Sequence, residues 1–257
     1  MSMDRKLFLK ITGCALAGAF TGEQLLQVVD AQAEAVSPAP GALKAKRWGM
    51  LIDTRKCRRA DDCDKCIQAC HEIHNVPSVP DKTREVKWIW KESYEHAFSV
   101  ESEYANEAFE RRLLPVFCNH CDEPPCVRVC PTGATWKRES DGIVMMDWHR
   151  CIGCRYCMAA CPYGSRSFNW SDPRKYLERT NAGFPTRTKG VVEKCTFCSE
   201  RLAIGEPPAC VEACPEKAMI FGDLADPKSE IRRLIREERT DRRKTELGTN
   251  PEVFYIL

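Results

Sequence analysis

Short apolar runs dominate the chain beyond Trp48. Met50-Leu51-Ile52 and Val144-Met145-Met146 each read as a buried strand that stops at an aspartate, Asp53 or Asp147. Ala134-Thr135-Trp136 and Ala218-Met219-Ile220-Phe221 read as two further short strands. Alternation in Val86-Lys87-Trp88-Ile89-Trp90 predicts a half-buried strand, because successive strand side chains point to opposite faces. A helix is expected from Glu101 to Leu114. A second is expected after Asp226-Pro227-Lys228-Ser229-Glu230, a capping segment that precedes one apolar stripe of Ile231, Leu234 and Ile235. No run reaches the roughly 18 apolar residues of a membrane span.

The pattern repeats. Met50 to Cys57 matches Val144 to Cys151: an apolar strand, an aspartate, two residues, a base and a cysteine. Pro124-Pro125-Cys126-Val127-Arg128-Val129-Cys130-Pro131 is echoed by Pro207-Pro208-Ala209-Cys210-Val211-Glu212-Ala213-Cys214-Pro215. These repeats border or overlap four quartets that hold sixteen of the 17 cysteines, Cys57/Cys63/Cys66/Cys70, Cys118/Cys121/Cys126/Cys130, Cys151/Cys154/Cys157/Cys161 and Cys195/Cys198/Cys210/Cys214. The first and third quartets are one type, the second and fourth the other.

The third quartet, with Pro162 after it, is the C-x2-C-x2-C-x3-C-P run of two-cluster bacterial ferredoxins. Zinc needs four ligands in two pairs and has no use for the third close cysteine. Disulfides are disfavoured because near neighbours in such a run are strained against bridging. Four iron–sulfur clusters therefore fit the count. Cys14 lies outside the pattern; Ile11-Thr12-Gly13-Cys14 faintly resembles a lipoprotein box, but a spare thiol is the simpler reading.

In ferredoxin modules the first three cysteines of a run hold one cluster and the fourth crosses to the other. That rule assigns Cys57, Cys63, Cys66 and Cys214 to a first cluster, and Cys118, Cys121, Cys126 and Cys161 to a second. It assigns Cys151, Cys154, Cys157 and Cys130 to a third, and Cys195, Cys198, Cys210 and Cys70 to a fourth. The expected fold class is α+β: two bacterial-ferredoxin-like modules, one nested in the other. The inner module spans 118–165 and the outer one 48–70 plus 190–225, with an insertion at 71–117, a connector at 166–189 and a C-terminal helix and tail at 226–257. The aromatic insertion is read as a cover over the clusters, with a docking surface as the alternative.

Residues 1–33 read as an export leader and 34–47 as a linker. Arg5-Lys6 begins a basic, twin-arginine-like stretch with Lys6 in place of the second arginine, a mildly apolar run extends from Ile11 to Phe20, and Ala31-Gln32-Ala33 offers a cleavage site. Export of a folded holoprotein suits clusters assembled in the cytoplasm, and predicts a periplasmic destination. The formal charge of +2 counts thiols as neutral; clusters contributing roughly −2 each bring the holoprotein to roughly −6, which disfavours a nucleic-acid partner. Lys56, Arg58, Arg150, Arg155 and Lys194 flank ligand cysteines, either raising cluster potentials or forming a solvated face.

No Gly-x-Gly-x-x-Gly, phosphate loop, nucleophile elbow or C-x-x-C-H motif is present, so no catalytic residue is assigned. His120, between Cys118 and Cys121, is expected to hydrogen-bond a cluster sulfide rather than to ligate iron.

Cys118 to Pro131, Cys151 to Gly164, Gly190 to Cys198 and Phe221-Gly222-Asp223-Leu224 resemble the four-cluster ferredoxin-like subunits of membrane respiratory complexes, the NrfC and polysulfide reductase B type. The leader, Asn75-Val76-Pro77 and the long insertion are most similar to the exported iron–sulfur subunit of the sulfate-reduction electron-transfer complex. The resemblance implies four [4Fe-4S] clusters, an NrfD-like integral membrane quinone-binding partner and a haem c partner; the alternative is the wire of a periplasmic molybdopterin reductase. The first quartet departs from the family, with five residues between Cys57 and Cys63 and His71 instead of proline after Cys70. A three-iron or altered first cluster therefore stays open beside an ordinary one.

Overall fold

The computed structural model describes residues 39–57, 63–98 and 111–257. The expected leader, Cys14 and Arg58 lie outside them. The chain divides into units 1–41 and 42–257, and every described strand and helix belongs to the second. Among the described residues no helix is long and apolar enough to cross a membrane.

The described strands are short and paired by the sequence repeat. β1 (Trp48–Asp53), which leads into the first quartet, runs antiparallel to β8 (Met219–Asp223), which leaves the fourth, with Met50 opposite Phe221 and Ile52 opposite Met219. The same relation joins β4 (Thr135–Lys137), after the second quartet, to β5 (Val144–Met146), before the third, with Thr135 opposite Met146. Short helices then bring the cysteine segments together. α1 (Lys65–Ile73) packs against α4 (Ala209–Glu212), and α2 (Pro125–Arg128) against α3 (Tyr156–Ala160). The order of the first sheet is β8-β1-β10-β9, where β9 is Thr240–Asp241 and β10 is Val253–Ile256.

Two of those strands come from the tail, where the sequence reading placed none. β10 (Val253–Ile256) lies parallel to β1 and carries Val, Tyr and Ile into the core, and β9 (Thr240–Asp241) closes the edge. All six residues of β1 are therefore buried, Met50 and Ile52 in the main core and Leu51 on the opposite face. That opposite face is covered by α5 (Glu230–Glu237), whose fully buried Ile231 packs with Leu51 and Ile256 while Leu234 and Ile235 flank it. Ser229 caps α5 by accepting the Arg232 N–H at 3.3 Å.

The insertion departs from its sequence reading in two places. Leu113 and Leu114, expected at the end of a helix, belong to β3 (Leu113–Phe117); Pro115 disfavours a helical conformation at the residue before it. The rest of that expected helix falls largely outside the described residues. The strand read from Val86 begins only at Ile89, as β2 (Ile89–Ser93), antiparallel to β3. Trp88 and Ile89 are both buried, so period-two alternation fails there, and the Lys87 N–H is taken by the Ser167 hydroxyl at 2.8 Å. The short pair β6 (Ser167–Phe168) and β7 (Val192–Glu193) joins the connector to the fourth quartet. The segment before β1 is held earlier than expected, since Leu43 donates its N–H to the Leu202 carbonyl at 2.9 Å.

Candidate metal centres

Backbone turns of one kind aim the cysteines. In Cys118-Asn119-His120-Cys121, Cys151-Ile152-Gly153-Cys154 and Cys195-Thr196-Phe197-Cys198 the third residue is left-handed, with φ of 43°, 70° and 54°. Such a residue reverses the loop so that both sulfurs face one point. At position 153 only glycine fits, since a Cβ there would lie 2.4 Å from the Gly190 carbonyl oxygen. Cys154 and Cys157 are separated by another left-handed residue, Arg155, before α3 begins. The corresponding Cys63-Asp64-Lys65-Cys66 has no such residue; Asp64 has φ −111° and Lys65 already starts α1. The first quartet thus differs in backbone as well as in spacing.

Two cavities are lined by sulfur. Cys151, Cys154 and Cys157 share one with Cys130, walled by Ala134, Met146 and Val192. Cys195, Cys198 and Cys210 share another with Cys70, walled by Met50, Trp88, Phe117 and Phe197. The remaining eight form two electrostatic groups. Burial, then Cys57, Cys214 and Cys63, push the Cys66 thiol up to about 12. Burial, then Cys118, with Cys126 and Cys161 adding, push Cys121 up to about 12 despite the hydroxyl of Thr249. None of the sixteen is in a disulfide.

The donor set suits a cationic inorganic core. Desolvated thiols resist ionising alone, and Cys195 too is pushed up to about 12, by burial and then by Cys118. Yet N–H groups that favour thiolate converge on the sulfurs: Phe197 on Cys195 Sγ at 3.4 Å, Ala209 on Cys198 Sγ at 3.4 Å, Ala218 on Cys214 Sγ at 3.2 Å, and Arg166 Nη2 on Cys126 Sγ at 3.0 Å. Buried polar atoms without protein partners sit in the same loops, namely both side-chain polar atoms of Asn119, His120 Nε2 and Thr196 Oγ1. Buried groups of that kind ordinarily find an acceptor or donor, and cluster sulfides supply acceptors. A metal core held by four thiolates fits these residues.

His120 itself is 1 % exposed, stacks on Phe197 at 3.7 Å between ring centroids and accepts the Val144 N–H on Nδ1 at 3.1 Å. Burial first, then the Lys194 and Arg166 charges, hold its imidazole well below the ordinary range, so the neutral ring carries its proton on Nε2. Of the described bases expected beside ligands, Lys56, Arg150 and Arg155 are exposed and Lys194 is fully buried. Sequence reasoning missed Arg166, Arg187 and His74. Arg187 and Glu193, both fully buried, pair at 2.7 Å beneath Trp88, whose indole N–H donates to Glu193 at 2.9 Å. His74 stacks on Trp88 at 4.7 Å and lies 2.8 Å from Glu200 Oε1. The only early signal for these groups was their placement a few residues from cysteines or in the connector.

Paired strand-and-cysteine units around sulfur-lined cavities define a ferredoxin-type protein that holds 4Fe-4S clusters. A 4Fe-4S dicluster domain family matches residues 109–177 and 180–224. The chain is 40% identical, over 98% of its length and 97% of the relative's, to the Hdr-like menaquinol oxidoreductase iron-sulfur subunit 1 of Archaeoglobus fulgidus. A subunit of the tetrathionate reductase of Salmonella typhimurium is 36% identical over 100% of this chain and 89% of its own. Protein NrfC of Escherichia coli is 35% identical, with 92% of each chain covered. The chain belongs to the NrfC-like family of iron–sulfur electron-transfer subunits. As a subunit it works with partner subunits of an oxidoreductase.

Proposed function

We propose that the chain carries four [4Fe-4S] clusters in two nested ferredoxin-like modules and conducts electrons between a membrane quinone-binding NrfD-like subunit and a haem c partner in a sulfate or sulfur respiratory complex. The complex would lie on the periplasmic side of the cytoplasmic membrane, reached by twin-arginine-like export, with the subunit peripheral through its partners or anchored by an uncleaved leader. The ligand sets are Cys57/Cys63/Cys66/Cys214, Cys118/Cys121/Cys126/Cys161, Cys151/Cys154/Cys157/Cys130 and Cys195/Cys198/Cys210/Cys70.

When bound, such clusters take up and release single electrons at potentials set by charge, hydrogen bonds and exposure. The chain's own residues hold the sulfurs, aim N–H groups at them and exclude water. Met50, Trp88 and Phe197 wall the cavity of the fourth set, while Ala134, Met146 and Val192 wall that of the third. The single observation that carries the reading is the gathering of three thiols from one quartet with one from another, as Cys70 with Cys195, Cys198 and Cys210. The menaquinol oxidoreductase name of one relative supports the quinone partner. The tetrathionate and arsenate reductase names of others support a second reading, the wire of a periplasmic molybdopterin reductase.

Anaerobic purification tests both. About sixteen iron atoms per chain and negligible zinc are expected, four per cluster, with paramagnetic signals after dithionite. Colourless, signal-free protein refutes the cluster reading. Co-purification with a haem c protein favours the first complex, and with a molybdenum subunit the second.

A further inference from the structure

Two buried cations without an acidic partner act on the same group of thiols. Lys194 is fully buried, and its ammonium donates to the Val144 carbonyl and, at 2.6 Å, to the Cys195 carbonyl. Carbonyl oxygens hold an ammonium without neutralising it. Arg166 is 4 % exposed and donates to Cys126 Sγ at 3.0 Å and to Thr135 Oγ1 at 2.8 Å. Among the described residues neither forms an ion pair. The charges that act on Arg166 are Cys126, Cys157, Cys118 and Cys161, and Lys194 feels Cys118, Cys195 and Cys126. The geometry agrees: Arg166 reaches the Cys126 sulfur directly, and Lys194 is held by Val144, the residue that donates its N–H to His120 between Cys118 and Cys121, so both cations lie beside the second quartet.

The other groups are placed differently. Glu200 adds negative charge at Cys195 and Cys198, against Lys194. Lys91, near Cys57 and Cys66, is paired with Asp64 at 2.8 Å and partly exposed. Cys157 shares Arg166, but its cavity opens beside the exposed Ile152 and Arg155. Reduction adds one electron and makes or breaks no covalent bond, so a nearby cation favours the reduced state, and more strongly where water is excluded.

We infer that the cluster held by Cys118, Cys121, Cys126 and Cys161 is the most easily reduced of the four, and that Lys194 and Arg166 make it so. It is an electron well at the junction where the second-quartet loop, through His120, stacks on the fourth-quartet loop at Phe197. This inference rests on the four-cluster reading above.

The test is a stepwise dithionite titration of the full-length anaerobic holoprotein, monitored by paramagnetic resonance. Iron content and the number of clusters judge the four-cluster reading, whereas the order in which signals appear judges this one. Thr249→Val labels the site, because the Thr249 hydroxyl, which pairs with the Tyr163 hydroxyl two residues after Cys161, eases ionisation of the Cys121 thiol without being a ligand. The first signal to appear must be the one that Thr249→Val moves. Lys194→Met and Arg166→Met must each lower its reduced-to-oxidised ratio at fixed potential at least about tenfold, which is about 59 mV for a one-electron couple. Lys194→Arg and Arg166→Lys must return it toward the wild-type value. A first signal that ignores Thr249→Val, or that keeps its potential in both methionine variants, overturns the inference. If the methionine variants lose iron at this site, the Thr249→Val arm alone decides.

Discussion

Gly153→Ala isolates how tightly the third-quartet loop is built. Gly153 has φ +70°, and an added Cβ would lie 2.4 Å from the Gly190 carbonyl oxygen and 3.1 Å from the Phe168 ring. Gly133, with φ +63° and nothing within 4 Å of its would-be Cβ, is the control. Both alanines meet the left-handed penalty of about 1–2 kcal/mol. Only Gly153→Ala adds overpacking, typically about 1–3 kcal/mol, and its obstacle is backbone, which yields poorly. The expected totals are therefore about 2–5 kcal/mol against about 1–2 kcal/mol. Since cluster loss makes unfolding irreversible, the readout is the rate of iron release from anaerobic holoprotein at a fixed guanidinium concentration. Where the clash is relieved on opening, about 1–3 kcal/mol corresponds to about 5- to 150-fold faster release from Gly153→Ala than from Gly133→Ala. Equal rates for the two variants would refute the close approach of the Gly153 and Gly190 backbones.

Glu193→Gln strips the fully buried Arg187 of its counter-charge and is expected to cost about 3–5 kcal/mol, read as faster iron release from anaerobic holoprotein at a fixed guanidinium concentration than the wild type shows; an unchanged release rate would contradict the pairing. Ile231→Ala should cost about 2–5 kcal/mol by emptying the space between α5 and β1, whereas the exposed Leu247→Ala should stay within about 0.5 kcal/mol; similar melting points for the pair would refute the packing. The Lys137 hydrogen bond, opposed by desolvation and aided by Arg47, holds the Asp122 carboxyl below its ordinary value of 3.8. Its stabilisation is thus present above pH 3.8 and lost as pH falls through the lower folded value. Asp122→Asn should release iron faster near neutrality and show a shallower rise in release rate at acid pH; an unchanged acid limb would remove Asp122 from the account.

The repeat made β1, β5, β4 and β8 legible, because a buried strand ending at an aspartate before a cysteine is a local pattern. Cys57 to Cys214 could be grouped for the same reason, spacing along the chain being what a loop around a cluster constrains. Val253 to Ile256 also has strand composition, but nothing local says that it pairs with β1, some two hundred residues earlier. Pro115 was a readable signal against the expected helix at Leu114, and the apolar period over the preceding residues outweighed it. The burial of Lys194 was invisible, since in sequence it matches Arg150 and Arg155 as a base beside a cysteine, and only the approach of β5 and the Val144 carbonyl removes it from water.

Partnering distinguishes the buried cations that burial alone does not. Arg187 is neutralised by Glu193 and spends its remaining donors on the His74, Asn75 and Pro185 carbonyls, so it fixes the chain leaving α1 and adds little field at a distance. Arg166 meets a thiol and a hydroxyl, and Lys194 meets two carbonyls, so their charges remain for the sulfurs to feel. Replacing Arg187 and Glu193 together by neutral residues should therefore disturb folding with small effect on reduction, while removing Lys194 should disturb reduction first. Their opposite profiles arise from the same low-dielectric interior, in which an ion pair cancels its own field and an unpaired ion projects it.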